Sequence, residues 1–370
     1  MQEMDAPPKK IRWWVPELGP EEKKFMDKAL DTSFPNEGEL TTQFETQVAG
    51  MLGCKHAIAV TSGTAAIFLA LKACGVKQGD EVVVPDISFI ATANAAEMCG
   101  AKPVMVDVDP ESMCISPEAF ERSITKKTKA VVPVHVSGRA ADLDGVGEVA
   151  VKHGIRVVED AAEAFMSKHN GRYLGTLGEI GCLSFSPHKI ITTGQGGMLL
   201  TNDDNLLIRI KELKDHGRRV RGTGGDDLHD VIGYNFKFTD LQAAVGLGQL
   251  TYVKKRMERM LQRHRIYGEN LQGIKGLRLF DFDVQNGEMP LWTDAIIEKR
   301  DELDKYLTAS SIGCRRYWFP LHRQKPYALP DDNFPNSTNM SPKALWLSSA
   351  YTLSDSDVNT VCERIKAFLK

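Results

Sequence analysis

EVVVP at 81–85, KAVVPV at 129–134 and RVVED at 156–160 are apolar runs with almost no polar interruption. A strand with one wet face alternates between apolar and polar residues. A strand covered on both faces need not, so these runs read as inner strands of a sheet with helices on either side. Working outward, the strand-like segments are 56–60, 81–85, 102–108, 129–135, 156–160, 181–186 and 197–202. Between them, 64–74 (TAAIFLALKAC) and 117–124 carry helical spacing. Strands alternating with helices at this rhythm predict an α/β fold around a mainly parallel sheet.

Beyond about residue 205 the pattern changes. The stretch 205–215 reads as a helix, 218–230 as a glycine- and charge-rich loop (RGTGGDD), and 239–271 as one long helical region. A strand at 291–297 and helices at 299–310 and 355–369 predict a compact α+β unit. The first 35 residues are expected to pack on that unit.

The 370 residues are 42 % hydrophobic and 26 % charged, ordinary for a globular chain, and their length suits a large domain with a smaller companion. Forty-six basic against 49 acidic residues leave a net charge of −3. No broad positive field is available for nucleic acid or an anionic membrane. No apolar run reaches the ~20 residues of a membrane helix. Residues 1–14 carry Lys9, Lys10 and Arg12 with no apolar stretch behind them, which does not read as a signal peptide. The seven cysteines lack a CxxC pair and the nine histidines lack an HExxH, so no structural metal and a reducing cytoplasmic setting are expected.

Four local features carry chemistry. Thr61-Ser62-Gly63-Thr64 follows the strand 56–60 and opens a helix, where free amides and a hydroxyl can hold a phosphate; the plainer reading is a helix cap in a tight turn. There is no GxGxxG and no Walker lysine, so nicotinamide and nucleoside triphosphate readings lack their usual loops. The strand 156–160 ends in Glu159 and Asp160, followed by Glu163. Buried carboxylates each need a partner, and sites in open parallel sheets collect at the carboxyl ends of strands; the plainer reading of Asp160 is again a cap. Lys189, in Ser184-Phe185-Ser186-Pro187-His188-Lys189, stands at a strand end before a glycine-rich loop, where a lysine can turn nucleophilic. The fourth, Gly233-Tyr234-Asn235-Phe236-Lys237, is a loop feeding a helix. A phosphate cup, a strand-end aspartate and a lysine in this order suit pyridoxal phosphate, and Phe89 after another strand could stack on its ring.

These residues resemble the pyridoxal-phosphate-dependent sugar aminotransferases of the DegT–StrS type. The resemblance covers nearly the whole chain, through GELTTQFETQVAGMLGCKHAIAVTSGTAA, GDEVVVPDISFIATANAAEMCGAKPVMVDVD, VVEDAAEA, SFSPHKIITTGQGG and GYNFKFTDLQAAVGLGQL. Within the family, EDAAEA and HKIITTGQGG look most like the branch that aminates carbon 4 of GDP-4-keto-6-deoxymannose to give GDP-perosamine.

The resemblance implies a fold-type I (aspartate aminotransferase-like) architecture, with a large cofactor-binding domain over 36–245 and a small C-terminal domain over 246–370. It also implies roles. Lys189 would carry the cofactor as a Schiff base and shuttle protons; Asp160 would pair with the pyridine nitrogen. Glu163, where many relatives have Gln, would face the ring near its phenolic oxygen, with Phe89 on the other face. Gly63, Thr64 and Ser184 would hold the phosphate, joined by Asn235 from the second subunit of a homodimer. His322 would lie near the sugar-nucleotide cleft, with Phe34 in one of the loops (33–37, 218–230 and 317–324) that select the sugar. L-glutamate would be the amino donor, with pyridoxamine phosphate as the amine-carrying form of the cofactor. Departures from the family pattern are Ser137 in His135-Val136-Ser137-Gly138, Gln195 in the glycine loop, and Phe236-Lys237 after Asn235. They leave open a UDP- or dTDP-linked sugar and amination at carbon 3. A dehydratase on the same fold is disfavoured because Lys189, not a histidine, aligns with the Schiff-base position. A non-catalytic regulator would be expected to lack Lys189 or Asp160.

Overall fold

The computed structural model describes residues 10–33, 35–218 and 228–370. Two helices, α1 (Pro20–Asp31) and α2 (Glu39–Leu52), precede an alternating series: β1 (His56–Val60), α3 (Gly63–Ala73), β2 (Glu81–Pro85), α4 (Ala91–Met98), β3 (Lys102–Val106), α5 (Pro117–Ser123), β4 (Thr128–Val131), α6 (Leu143–His153) and β5 (Arg156–Asp160). A short hairpin, β6 (Lys168–His169) with β7 (Arg172–Tyr173), leads to β8 (Ile180–Ser184), β9 (Gly197–Thr201) and α7 (Asp204–Lys214). Helices α8 (Asp240–Leu250) and α9 (Val253–Leu271) then lead into β10 (Leu277–Leu279), β11 (Asp294–Ile297), α10 (Arg300–Ala309), β12 (Arg315–Arg316), α11 (Pro335–Met340), β13 (Ala344–Trp346) and α12 (Asp355–Leu369).

Seven strands form one sheet in the order β1-β9-β8-β5-β4-β2-β3. β2, β3, β4, β5 and β8 pair in parallel, while β9 runs against both of its neighbours, β1 and β8. The sheet is therefore mainly parallel, as the unbroken apolar runs predict. Helix α3 shows why such a sheet stays dry. Ser62 caps it by accepting from the Ala65 amide, and every residue from Ala65 to Leu71 is buried. A helix apolar on all sides belongs inside a protein.

Strand 129–135 is shorter than expected, ending at Val131. Pro133 has no amide to give to a ladder, and only an isolated bridge, Val134 to Asp160, extends the pairing. The strand at 291–297 begins three residues late, because the Leu291 amide turns away to the Ser137 carbonyl. The expected single helix over 239–271 is two. At the break, Thr251 and Tyr252 amides bond to carbonyls three residues back, and the Thr251 hydroxyl takes the Gly248 carbonyl, closing the turn locally.

The four-stranded antiparallel sheet β10-β11-β13-β12 lies with α10 and α12 around its own core of Leu303, Leu307, Val358 and Ile365. The N-terminal segment touches two places. Ile11 bridges to Ile312 and the Trp13 carbonyl accepts from Ser349 and Ala350, whereas α1 lies on α8. Glycines on α8 allow the approach of α1 and of α2. A Cβ at Gly248 would stand 2.6 Å from the Glu22 amide nitrogen, and one at Gly246 2.8 Å from the Phe44 ring. Phe44 is fully buried against Phe185 and Phe238, with centroids 5.2 and 6.0 Å away. Burying such a ring contributes ~1.5–3 kcal/mol, and Phe185 opens the loop that carries Lys189.

Candidate active site

The carboxyl ends of β1, β2, β5 and β8 open onto one cavity of about 410 Å³. Gly63, Thr64, Phe89, Asp160, Glu163, Ser184 and Lys189 all line it, so seven of the residues singled out from sequence meet in one place.

The β pleat separates the two carboxylates that end β5. Glu159 turns into the protein and is fully buried. Its oxygens accept from the amides of Gly175 (2.7 Å), Leu177 (2.7 Å) and Gly178 (2.6 Å), and from His135 Nε2 at 3.0 Å. His135 Nδ1 accepts from the Ala141 amide, which leaves Nε2 as the donor. Burial works to raise the Glu159 pKa, but the hydrogen bonds from His135 and the amides outweigh it and hold it below its ordinary value. Glu159 is a structural carboxylate.

Asp160 turns to the cavity. It accepts from Thr92 Oγ1 at 2.8 Å and from the Ala162 amide at 3.2 Å. Thr92 is shared with Ser88 at 2.8 Å, one helical turn away. Burial raises the Asp160 pKa, against the Thr92 and Ala162 hydrogen bonds. A buried carboxylate with no cation in ion-pair contact among the described residues is suited to a cationic ligand atom.

Glu163 accepts from the Ser137 amide at 3.0 Å and from Lys189 Nζ at 3.3 Å. Burial lifts its pKa, opposed by Lys189 and Ser137 and reinforced by Asp160. Ser137 adopts φ +56°, a left-handed conformation rare outside glycine, which aims its amide at Glu163. Lys189 Nζ also lies 5.0 Å above the Trp292 ring.

Opposite Asp160 is the helix N-terminus of α3. Its first amides, those of Gly63 and Thr64, have no intrahelical acceptor. A Cβ at Gly63 would stand 3.0 Å from Ser184 Cβ and 3.3 Å from its Oγ, so only glycine leaves this cradle open. Phe89 is 55 % exposed at the cavity edge.

Two expected site residues lie elsewhere. Asn235 is exposed and does not line the cavity of its own chain. Its neighbours Tyr234 and Phe236 pack on Phe68, at 4.8 and 6.0 Å, and leave Asn235 facing outward. His322 is buried outside the cavity lining. Nδ1 meets Asp86 at 2.7 Å, Nε2 meets Asp331 at 3.0 Å, and the ring stacks on Phe334 at 4.5 Å. It latches the segment after β12 to the end of β2. Phe34, like 219–227 of the glycine-rich loop, lies outside the described residues.

On the facing wall, sequence reading missed Trp292 and Arg315, while Trp318 belongs to the loop 317–324 expected to select the sugar. The Arg315 guanidinium rests on Trp13 (5.0 Å) and Trp346 (5.5 Å) and has no carboxylate partner among the described residues. Burial lowers its pKa, with Glu163 opposing. His188, against Trp13 at 5.5 Å, is lowered by burial and then by Arg315 and Lys189.

Residues 16–366 match the model of the DegT/DnrJ/EryC1/StrS aminotransferase family. The chain is 35 % identical to a GDP-perosamine synthase from Escherichia coli O157:H7, over 97 % of this chain and 99 % of that one. It is 36 % identical to another from Caulobacter vibrioides, over 94 % and 95 %. Among solved structures, DesV of S. venezuelae in complex with a ketimine intermediate superposes with TM-score 0.90 at 29 % identity, over 95 % and 94 % of the two chains. DesI in the presence of its TDP-sugar product gives 0.90 at 28 %, over 98 % and 94 %. The chain belongs to the DegT/DnrJ/EryC1/StrS aminotransferase family.

Proposed function

We propose that this protein transfers an amino group from L-glutamate to a nucleotide-linked 4-keto-6-deoxy sugar, with GDP-4-keto-6-deoxymannose giving GDP-perosamine as the specific reaction. The nucleotide-sugar aminotransferase class follows from the family and from relatives named GDP-perosamine synthase. The observation that carries the reading is the meeting of Asp160, Lys189 and the Gly63–Ser184 cradle around one cavity.

These residues fit pyridoxal phosphate. The open cradle at Gly63 with its free amides suits a phosphate, and the buried, unpaired Asp160 suits a protonated pyridine nitrogen. When bound, the cofactor supplies an aldehyde that takes up the amine and a ring that draws electrons from the adjacent carbon. Thr92 fixes Asp160, which would pair with the ring nitrogen, and Phe89 would cover one ring face. Lys189 holds the cofactor and then, freed, moves a proton at Nζ. Glu163 steadies that nitrogen from 3.3 Å.

Arg315 supports a donor that carries a carboxylate. A guanidinium with no carboxylate partner among the described residues, resting on the faces of two indoles in the cavity that Lys189 and Glu163 also line, can take a carboxylate as a two-pronged partner. The outward Asn235 supports a homodimer in which it completes the partner's phosphate site. Residues 36–245 would then act as the cofactor-binding domain and 246–370 as the smaller one. Seven free thiols support a reducing, cytoplasmic setting, and among the described residues no helix is long and apolar enough to cross a membrane.

The test is a two-step absorbance experiment. L-glutamate should bleach the visible band of the cofactor-loaded protein, and GDP-4-keto-6-deoxymannose should restore it with GDP-perosamine as product. Bleaching without restoration would reject the sugar. A loaded protein that no amino donor bleaches would reject aminotransfer.

A further inference from the structure

Helix α9 carries two buried arginines seven residues apart, Arg256 and Arg263, which are 2 % and 1 % exposed. The nearest carboxylate oxygen to Arg256 is that of Glu17 at 3.9 Å, and among the described residues Arg263 has no carboxylate partner. Burying a guanidinium without a counter-ion is costly, so what each holds instead needs a reason. Both hold backbone carbonyls next in sequence to cavity-lining residues, Arg256 that of Ile190 beside Lys189 and Arg263 that of Leu291 beside Trp292.

Arg256 donates to the carbonyl of Ile190, the residue after Lys189, at 2.9 Å. It also donates to Gln249 Oε1 at 2.7 Å and to the Glu17 carbonyl at 3.1 Å. Gln249, fully buried, accepts from the Thr192 amide at 3.3 Å and donates to the Glu17 carbonyl at 2.8 Å and to Glu22. Trp14 Nε1 donates to the Pro187 carbonyl at 2.8 Å. The lysine loop is thus gripped from behind at Pro187, Ile190 and Thr192. Arg263 donates to the carbonyls of Pro290 (2.6 Å) and Leu291 (3.1 Å), directly before Trp292, and to that of Ser349.

The grip has a purpose that chain chemistry makes clear. Lysine is a point charge on a flexible four-carbon stem, so its tip is placed only if its root is. The root of Lys189 lies in a loop whose own bonds tie the Lys189 amide to the Ser186 carbonyl at 3.1 Å and the Thr193 amide to the Phe185 carbonyl at 3.0 Å, and the Ile190 carbonyl between them is held from outside by Arg256.

We infer that Arg256 is a positioning residue for aminotransfer: through the Ile190 carbonyl and Gln249 it sets where Lys189 Nζ stands between Glu163 and Trp292. Trp14 braces the same loop, and Arg263 sets the Trp292 side. This rests on the function proposed above and deepens it. A displacement of ~1 Å at a reacting group can cost as much as ~100-fold in rate.

The test uses the cofactor-loaded protein. Arg256→Lys keeps the charge and loses the fork; Trp14→Phe keeps an aromatic ring in place and loses the bond to Pro187 with part of the indole's packing, which keeps the question answerable if the first variant does not fold. Three quantities are measured: the rate constant per loaded site for bleaching by L-glutamate, the glutamate KM, and the pH midpoint of the visible band. The expected result for Arg256→Lys is a rate constant lower by about tenfold or more, a KM little changed, and a displaced pH midpoint. Trp14→Phe should move the same quantities less. Variants that match the wild-type rate constant and midpoint, with only a lower melting temperature, would overturn the inference and leave Arg256 a plain core residue. Failure of the proposed function looks different, because there the wild-type band is not bleached by any amino donor.

Discussion

The two walls of the cavity handle charge in opposite ways. On the sheet wall, carboxylates meet hydrogen-bond donors: Asp160 has Thr92 and the Ala162 amide, and Glu163 has Lys189 and the Ser137 amide. On the facing wall, cations rest on aromatic faces. Lys189 Nζ lies over Trp292, and Arg315 over Trp13 and Trp346. Polar groups already anchored at fixed angles hold one group in one place. Flat apolar faces beside an unpaired guanidinium suit ligands that enter and leave. On the function proposed here, the sheet wall would hold a resident cofactor and the aromatic wall exchanging substrates.

The largest effect is expected where the walls meet. Lys189→Ala should lower turnover by ~10³-fold or more, since it removes the side chain proposed as both covalent anchor and proton carrier. Circular dichroism should show the fold unchanged. Near-normal turnover would end the assignment of Lys189.

Next comes Arg315→Gln, on the aromatic wall alone. Losing a charge-assisted pair costs about 1.5–3 kcal/mol, so the KM for L-glutamate should rise about 10- to 100-fold while cofactor affinity holds. A rise confined to the sugar nucleotide would move Arg315 to the other substrate and redraw the wall's division of labour.

The sheet wall can be split from within by pH. Glu159 is held below its ordinary 4.5, so its stabilisation is present above that value and is lost as pH falls through the folded pKa. Asp160 is held above its ordinary 3.8, so in the cofactor-free protein its contribution is most favourable at low pH and declines as pH rises through the folded pKa. Glu159→Gln should destabilise the protein by about 3–5 kcal/mol at neutral pH and flatten the acid side of a urea-midpoint scan. Asp160→Asn should instead flatten the decline above pH 4, with less loss of stability. Identical pH profiles for the two variants would refute the division of labour between adjacent residues of one strand.

The sheet wall was legible in sequence and the aromatic wall was not, for physical reasons. Buried parallel strands leave continuous apolar runs, and the residues just past their ends are fixed by topology. Reading 156–160 as a strand therefore places Asp160 at an edge where sites collect, and the TSGT string marks a helix start by local chemistry. Which of two neighbouring carboxylates faces the cavity follows from the pleat, but its direction needs the positions of Gly175–Gly178. Trp292 and Arg315 come from strands of two to four residues and connecting turns, too short for periodicity, and Trp318 is covered only as one position of the loop 317–324. Arg315 becomes a site group only because Trp13, some three hundred residues earlier, lies beneath it. The grip of Arg256 on Ile190 is likewise invisible, since the pattern of α9 marks position 256 as one more charge on a basic helix.

The smallest catalytic effect is expected at His322, and it sharpens where the aromatic wall ends. Resemblance places this residue near the sugar nucleotide, but the ring is 1 % exposed and spends both nitrogens on Asp86 and Asp331. Its amide and that of Leu321 also return to Asp86, at the end of β2 and three residues before Phe89. The work of such a group is to hold two segments together. His322→Ala should cost about 2–3 kcal/mol of stability through lost hydrogen bonds to carboxylates, seen as a lower urea midpoint. The KM values for both substrates should shift less than about threefold at a temperature where the variant is folded. A KM rise of tenfold or more for the sugar nucleotide, with the urea midpoint unchanged, would show that the cleft extends to His322 and that Asp86 and Asp331 bind substrate through it.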